Sequence, residues 1–459
     1  MKITAFGAAE EVTGTKHILE INGRKILLDC GMFQGHRQES DQKNRHLGFA
    51  PTDIDAVVLS HAHIDHSGLL PLLGKLGYRG AVHATPATRD LCSLMLLDSA
   101  HIQKRDAEWL SKKHLAFVAP LYRDEDVQEI MRRFISIPYE MRFQLLPDIF
   151  LTFHDAGHVL GSAMVELEYL EGGKWRRFIF SADIGRQGMS ILRDPWQPHD
   201  ADVVMMESTY GDRDHGNMDQ MEHKLAAVIH DAVEKRGKII IPSFALERAQ
   251  EIIFALKRLE LRKAIPPIPV YVDSPLTVNI TDIFRLHTEA FDDDFSATMR
   301  EAGDPFQLNR IRYIRPVSES MELNNLEGPA IIISASGMCE TGRVIHHIKN
   351  HCEDPNTTIL IVGFQAQHTL GRRIVEHQRT IRVFGMEREL NAQIKVMNEF
   401  SAHAGRSELI AFAKRFKGRA EKILIVHGEA PAMQSLKSAL EADGMNGVHI
   451  MRYAETVEV

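Results

Sequence analysis

Short apolar blocks recur along the chain, and the way they alternate with polar residues changes near Tyr210. In the first part, His17 to Ile21 and Arg24 to Asp29 flank Asn22-Gly23, a pair that favours a two-residue hairpin because both positions accept positive φ. Val57-Val58-Leu59-Ser60 reads as a short strand. Leu69 to Leu73 opens a helix in which Pro71 is tolerated only in the first turn. Charged and apolar positions at mixed helical spacing predict mainly helix from Ala87 to Phe134. Strands return at Phe150 to Phe153, Ala163 to Leu167 and Arg177 to Phe180.

Beyond Tyr210 the strands become continuous apolar runs separated by helices. Asn217 to Arg236 is a helix closed by Gly237, Lys238 to Ile241 a strand, Glu247 to Lys263 a helix, and Val270 to Val272 a strand. Ala330 to Ile333 and Thr358 to Val362 are buried strands, each followed by a glycine-containing turn and a helix. That alternation predicts a parallel sheet covered on both faces. The block from Asn398 onward adds the strand Ile423 to Val426. A length of 459 residues suits two domains, one interrupting the other.

Composition narrows this little: the apolar and charged fractions are those of a soluble globular chain. No run approaches the ~18 apolar residues of a membrane span. Met1 to Gly7 enters a strand without a signal-like apolar stretch, so a cytoplasmic protein is expected. Cys30, Cys92, Cys339 and Cys352 form no Cys-x-x-Cys pair and read as reduced thiols. Lys+Arg 54 against Asp+Glu 62 leaves a net charge of −8, which argues against a broad basic face for nucleic acid. A polyanion would have to be met in a local groove, where bound cations supply positive charge.

Candidate chemistry is concentrated in His61-Ala62-His63-Ile64-Asp65-His66, four potential metal ligands in six residues. Histidines at i and i+2 beside a strand end can converge on one ion, and Asp65 and His66 can reach a second. The donors are nitrogen and carboxylate oxygen without thiolate, a set that suits Zn²⁺ and is compatible with Mn²⁺ or Fe²⁺. Any one of 24 histidines carries little weight. What counts is the recurrence of a strand end, then His or Asp, then Gly. It returns in Asp155-Ala156-Gly157-His158, Ser181-Ala182-Asp183-Ile184-Gly185 and Ile425-Val426-His427-Gly428-Glu429. A carboxylate such as Asp183 can bridge two cations, which a neutral imidazole cannot.

In order and context, Asp29, the His61 to His66 run, His158, Asp183 and His427 resemble the metallo-β-lactamase superfamily. Glu207 in Glu207-Ser208-Thr209-Tyr210-Gly211, His403 in Phe400-Ser401-Ala402-His403-Ala404-Gly405, and the terminal His427 resemble its β-CASP branch, whose members process nucleic acids. The resemblance covers essentially the whole chain. It implies an α/β fold: a metallo-β-lactamase αββα sandwich (1–209 and 386–459) interrupted by an inserted α/β β-CASP domain with a mainly parallel sheet (210–385). It further implies that His61, His63 and His158 hold one ion, Asp65, His66 and His427 another, and that Asp183 bridges them. Asp29 would orient ligands. The implied reaction is hydrolysis of RNA phosphodiester bonds by a two-metal-activated hydroxide. Asp65 would orient that hydroxide, and His403 would act as general acid, held in its tautomer by Glu207.

In the insert, Ser334-Ala335-Ser336-Gly337-Met338, Arg343, and Thr369-Leu370-Gly371-Arg372-Arg373 resemble substrate-facing loops, making Ser336, Arg343, Thr369 and Arg372 candidate RNA contacts. Thr341 and His368 depart from the family pattern, standing where glycines are expected. The chain looks most like bacterial homologues of the endonuclease subunit of the eukaryotic pre-mRNA cleavage and polyadenylation complex. That implies single-stranded RNA as substrate, endonucleolytic cleavage with or without exonuclease activity, and no membrane partner; a homodimer is left open. The competing readings are a 5′-to-3′ exoribonuclease, a DNA-directed β-CASP nuclease, a small-molecule hydrolase of the superfamily, and a non-catalytic RNA-binding scaffold.

Overall fold

The computed structural model describes residues 1–35, 37–114, 118–216, 220–363, 365 and 369–459. The predicted helix start at Asn217 and the departure at His368 lie outside the described residues. The chain divides into two compact units, one of residues 1–189, 194–214 and 403–459 and one of residues 190–193 and 215–402.

The first unit is an αββα sandwich. One sheet orders the strands Thr456–Glu458, Lys2–Ala5, His17–Ile21, Arg24–Leu28, Ala56–Val58, Val82–Ala84 and Phe134–Ser136. The other orders Val448–Ile450, Lys422–Ile425, Val203–Met206, Lys174–Phe180, Ala163–Glu171, Ile149–Asp155 and Phe143–Leu146. Asn22 and Gly23, at φ 51° and 74°, close the hairpin that pairs Ile21 with Arg24.

Period-two alternation explains why the second sheet is apolar on both faces. Val165, Phe178, Met205 and Leu424 join Leu19, Ile26 and Val58 of the first sheet in one core. Their neighbours Met164, Ile179, Met206 and Ile425 pack against the helices Arg406–Lys414 and Ala430–Ala442. The predicted helical stretch from Ala87 to Phe134 is two helices, Pro86–His114 and Asp124–Met131, and it ends in an edge strand.

The second unit is built on six parallel strands in the order Ile311–Tyr313, Val270–Val272, Ala330–Ser334, Lys238–Pro242, Thr358–Ile361 and Gln393–Val396. Its buried isoleucines, such as Ile240, Ile359 and Ile361, pack against the helices Val344–His351 and Leu370–Val375. Residues 386–402, assigned from sequence to the second part of the sandwich, pack here instead, because Gln393–Val396 extends the sheet beside Thr358–Ile361.

Two glycines let loops of the sandwich approach more closely than any side chain allows. A Cβ on Gly31 would lie 1.6 Å from the Asp65 carbonyl oxygen, and one on Gly185 would lie 1.9 Å from that of Gly157. Gly185→Ala therefore pushes the loop bearing Asp183 away from the loop bearing His158. The expected loss is about 1–3 kcal/mol or more, read as a lower midpoint in thermal or urea unfolding. An unchanged midpoint would show that the two backbones are free to separate.

Candidate active site

Strand ends of the sandwich deliver each side chain. Arg24–Leu28 ends at Asp29, Lys174–Phe180 leads through Ala182 to Asp183, and Lys422–Ile425 leads to His427. Asp29, Ala182 and His427 take φ of 58°, 48° and 51°, a left-handed region that costs a non-glycine residue about 1–3 kcal/mol when it is strained. His61 follows Ala56–Val58, Asp65 and His66 lie in the one-turn helix Ile64–Ser67, and His158 follows Ile149–Asp155.

Hydrogen bonds determine which ring nitrogens carry protons. The Asp29 carboxylate accepts the Ser60 N–H at 2.7 Å and the Ser60 hydroxyl at 2.8 Å. With its proton given to Asp29, Ser60 Oγ accepts from His61 Nδ1 at 3.0 Å, which leaves His61 Nε2 a bare lone pair. His66 Nδ1 donates to Asp29 at 2.7 Å, which leaves Nε2 as the nitrogen turned toward the cluster. Thr209 Oγ1 donates to the His427 carbonyl and accepts from His427 Nδ1 at 3.1 Å, with the same result. Ser60 and Thr209 were missed in the sequence, although each neighbours a motif residue.

The inward nitrogens face one another. His61 Nε2 lies 3.1 Å from His63 Nδ1, His158 Nε2 lies 3.4 Å from His63 Nδ1, and Asp183 Oδ2 is 3.6 Å from His61 Nε2 and 3.5 Å from His158 Nε2. In a second group His66 Nε2 is 3.3 Å from His427 Nε2 and 3.3 Å from Asp183 Oδ1, and His427 Nε2 is 3.7 Å from Asp65 Oδ2. Asp183 Oδ1 is buried without a hydrogen-bond donor. With Zn–N bonds of about 2.05 Å, the donors of a tetrahedral ion stand about 3.3 Å apart. Two sets of donors at that spacing, joined by one carboxylate, fit two metal ions.

Electrostatics suits the same use. Burial, then the nearby His66, holds His61 well below its ordinary value; burial takes His63 to about 4, and burial and His403 hold His158 well below. All three are therefore neutral ligands at neutral pH. Burial opposes ionisation of Asp183, but His427 and His66 outweigh it and hold the carboxyl well below the usual range. Asp65 is lowered in the same way, with His427 the main opposing partner to burial. Against burial, Asp183 and Asp29 draw His66 well above its usual value, marking a nitrogen that favours a positive partner.

Beside this cluster stands His403, anchored by a bridge between Gly185 and His403 and by the Ala404 N–H donating to the Ile184 carbonyl. Its Nδ1 is 3.3 Å from Glu207 Oε1, and Glu207 is fully buried, accepting the N–H groups of Ile184 and Thr209. The His403 side chain keeps 22% of its exposure, so its ring is reachable from outside. Burial disfavours its charge, but Glu207, Asp183 and Asp65 raise it to about 9. An imidazolium held this way has a proton to give.

Comparison with known proteins agrees with this geometry. Residues 18–172 match the metallo-beta-lactamase superfamily domain, 249–374 the Beta-Casp domain, and 387–451 the Zn-dependent metallo-hydrolase RNA specificity domain. Ribonuclease TTHA0252 of Thermus thermophilus is 34% identical over 100% of both chains. The chain belongs to the β-CASP metallo-β-lactamase family. The transcription termination factor FttA of Methanosarcina mazei is 31% identical over 96% of this chain and 69% of its own length. The FttA protein of Methanothermobacter thermautotrophicus has the same identity and coverage. A crystal structure of a protein of unknown function from Enterococcus faecalis V583 shares the fold, with a TM-score of 0.56 and 12% identity over 100% of this chain and 99% of that one.

Within the β-CASP unit, the candidate RNA contacts are largely engaged already. Arg343 donates to Asp273 at 2.7 Å and to the Arg315 carbonyl at 2.6 Å. Asp273 also accepts from Ser320 and His347. Arg372 pairs with Glu376, and Ser336 Oγ accepts the Glu340 N–H. The first N–H groups of the helix Leu370–Val375 go to Glu340, to the Met338 carbonyl and to Thr369 Oγ1, so that helix end is filled from within.

Asp29→Asn tests the lone-pair arrangement. An amide nitrogen facing His66 would force the ring to reverse its tautomer and point N–H into the cluster. Metal affinity measured by chelator competition is expected to fall about 10–100-fold; wild-type affinity would refute the tautomer assignment.

Proposed function

We propose that this β-CASP protein hydrolyses phosphodiester bonds of single-stranded RNA with two Zn²⁺ ions, Mn²⁺ or Fe²⁺ being the alternatives, and that it cuts internally. The observation that carries the reading is the His403–Glu207 pair standing against Asp183. It places a proton donor beside a two-cation site, which is what expulsion of an alkoxide from a phosphodiester requires. His61, His63 and His158 would hold one ion and His66, Asp65 and His427 the other, with Asp183 shared between the two sets. When bound, the cations supply a water acidic enough to attack at neutral pH and neutralise charge on the phosphoryl oxygens.

The chain's own residues do the rest. Asp65 orients the attacking water, and its lowered pKa keeps it an acceptor at neutral pH. His403, with Nδ1 turned to Glu207, presents Nε2 to the leaving oxygen and passes its proton there. Two backbone N–H groups, of Ile184 and Thr209, hold Glu207 in place. RNA as the substrate is supported by the match to the RNA specificity domain and by the ribonuclease of T. thermophilus. The cytoplasm fits four buried, unpaired cysteines, and among the described residues no helix is long and apolar enough to cross a membrane.

His403→Ala is expected to retain both metals and lose about 10²–10⁴-fold in cleavage rate; full activity would remove the general-acid role. Glu207→Gln withdraws the charge that raises His403. The acid form is lost as pH rises through its pKa, so the alkaline limb of the rate profile should move to lower pH. An unmoved limb would separate that limb from His403. On 5′-labelled RNA, internal fragments should precede mononucleotides, and a matched DNA oligonucleotide should be cut more slowly. Early mononucleotides would instead indicate 5′ exonuclease action.

A further inference from the structure

Lys16 is the largest charged side chain in the sandwich with no exposure at all, and neither the metal site nor the proton donor uses it. Its Nζ donates to the carbonyls of Gly14 at 2.8 Å and Gly31 at 3.0 Å and lies 4.0 Å from the centre of the Phe33 ring. Among the described residues the ammonium is joined to no carboxylate; Glu11, close by, is taken by Lys43 at 3.0 Å. Burying a cation costs several kcal/mol unless its hydrogen bonds and surroundings compensate, so its two carbonyl acceptors matter.

Those carbonyls belong to the two turns that grip the loop of Asp65 and His66. The Thr15 N–H donates to the Asp65 carbonyl at 2.9 Å, the Cys30 N–H to that of His66 at 2.7 Å, and the Met32 N–H to that of Ile64 at 2.9 Å. The Gly31 N–H donates to the Thr15 carbonyl at 2.9 Å, joining the turns to each other. Gly31 touches the Asp65 backbone so closely that a Cβ would collide with it. The backbone of His61, His63 and His158 takes part in none of these bonds.

We infer that Lys16 is a positioning residue that clamps the Gly14 and Gly31 turns together and thereby sets Asp65 and His66 for the second metal ion alone. Without the ammonium, two buried carbonyls lose their donor and the turns are free to part. The Asp65–His66 loop then relaxes, while His61 of the first set keeps its own support, the bond between its Nδ1 and Ser60 Oγ.

The inference rests on the two-ion reading, and zinc release separates the two. The holoenzyme is treated with rising concentrations of a colorimetric zinc chelator, and the ions released per chain are counted. Wild type should release two ions; fewer than two bound would defeat the two-ion reading and not the role of Lys16. In Lys16→Met one ion should leave at a chelator concentration about 10–100-fold lower, the other as in wild type. Phe33→Leu keeps the ammonium but removes the ring beneath it, and should weaken the same ion by a smaller factor; it carries the test if Lys16→Met does not fold. Two ions released as in wild type, or both weakened equally alongside a lower unfolding midpoint, would overturn the inference and leave Lys16 as general packing.

Discussion

Everything in the sandwich serves one constraint: unprotonated imidazole nitrogens from separate loops must face one another around a single carboxylate. Ring nitrogens from these loops come within 3.1–3.4 Å of one another, and burial removes the water that would otherwise solvate them. Asp183, with one oxygen toward each set of nitrogens, makes the assembly a place for positive charge. The supporting bonds from Ser60, Asp29 and Thr209 matter because each holds one ring nitrogen and so turns the other toward the cluster.

Holding such a cluster requires a stiff frame. Strands that are apolar on both faces fill two cores at once and give fixed ends from which the ligands project. At those ends the chain turns through left-handed positions and through glycines that admit close backbone contact. The buried Lys16 belongs to the same frame, joining two turns where a carboxylate partner would compete for the cations. His403 differs in kind: its partial exposure and its tie to Glu207 suit a group that must meet substrate and exchange a proton.

Much of this was legible in the sequence, for identifiable reasons. The His61 to His66 run and the strand-end signals at His158, Asp183 and His427 were visible because the ligands follow apolar blocks directly. The parallel strands of the insert were legible because burial on both faces makes them continuous runs, as in Ala330 to Ile333. Short edge strands such as Phe134–Ser136 and Gln393–Val396 were not, since a few half-exposed residues carry no period, and this is why residues 386–402 were assigned to the sandwich. Ser60 and Thr209 escaped notice because they act through hydrogen bonds to Asp29 and His427, far away in the chain, and Lys16 because nothing in its local pattern shows that a lysine there is buried. The insert loops also looked like open substrate contacts, whereas Glu340, Met338 and Asp273 already take many of their donors.

The arrangement makes a direct crystallographic demand. Anomalous diffraction from crystals of the protein purified without chelator, recorded on both sides of the absorption edge of its metal, should show two peaks per chain. One should lie among His61 Nε2, His63 Nδ1, His158 Nε2 and Asp183 Oδ2, the other among His66 Nε2, His427 Nε2, Asp65 and Asp183 Oδ1. A single peak, or peaks away from Asp183, would contradict the shared-carboxylate site on which the account rests.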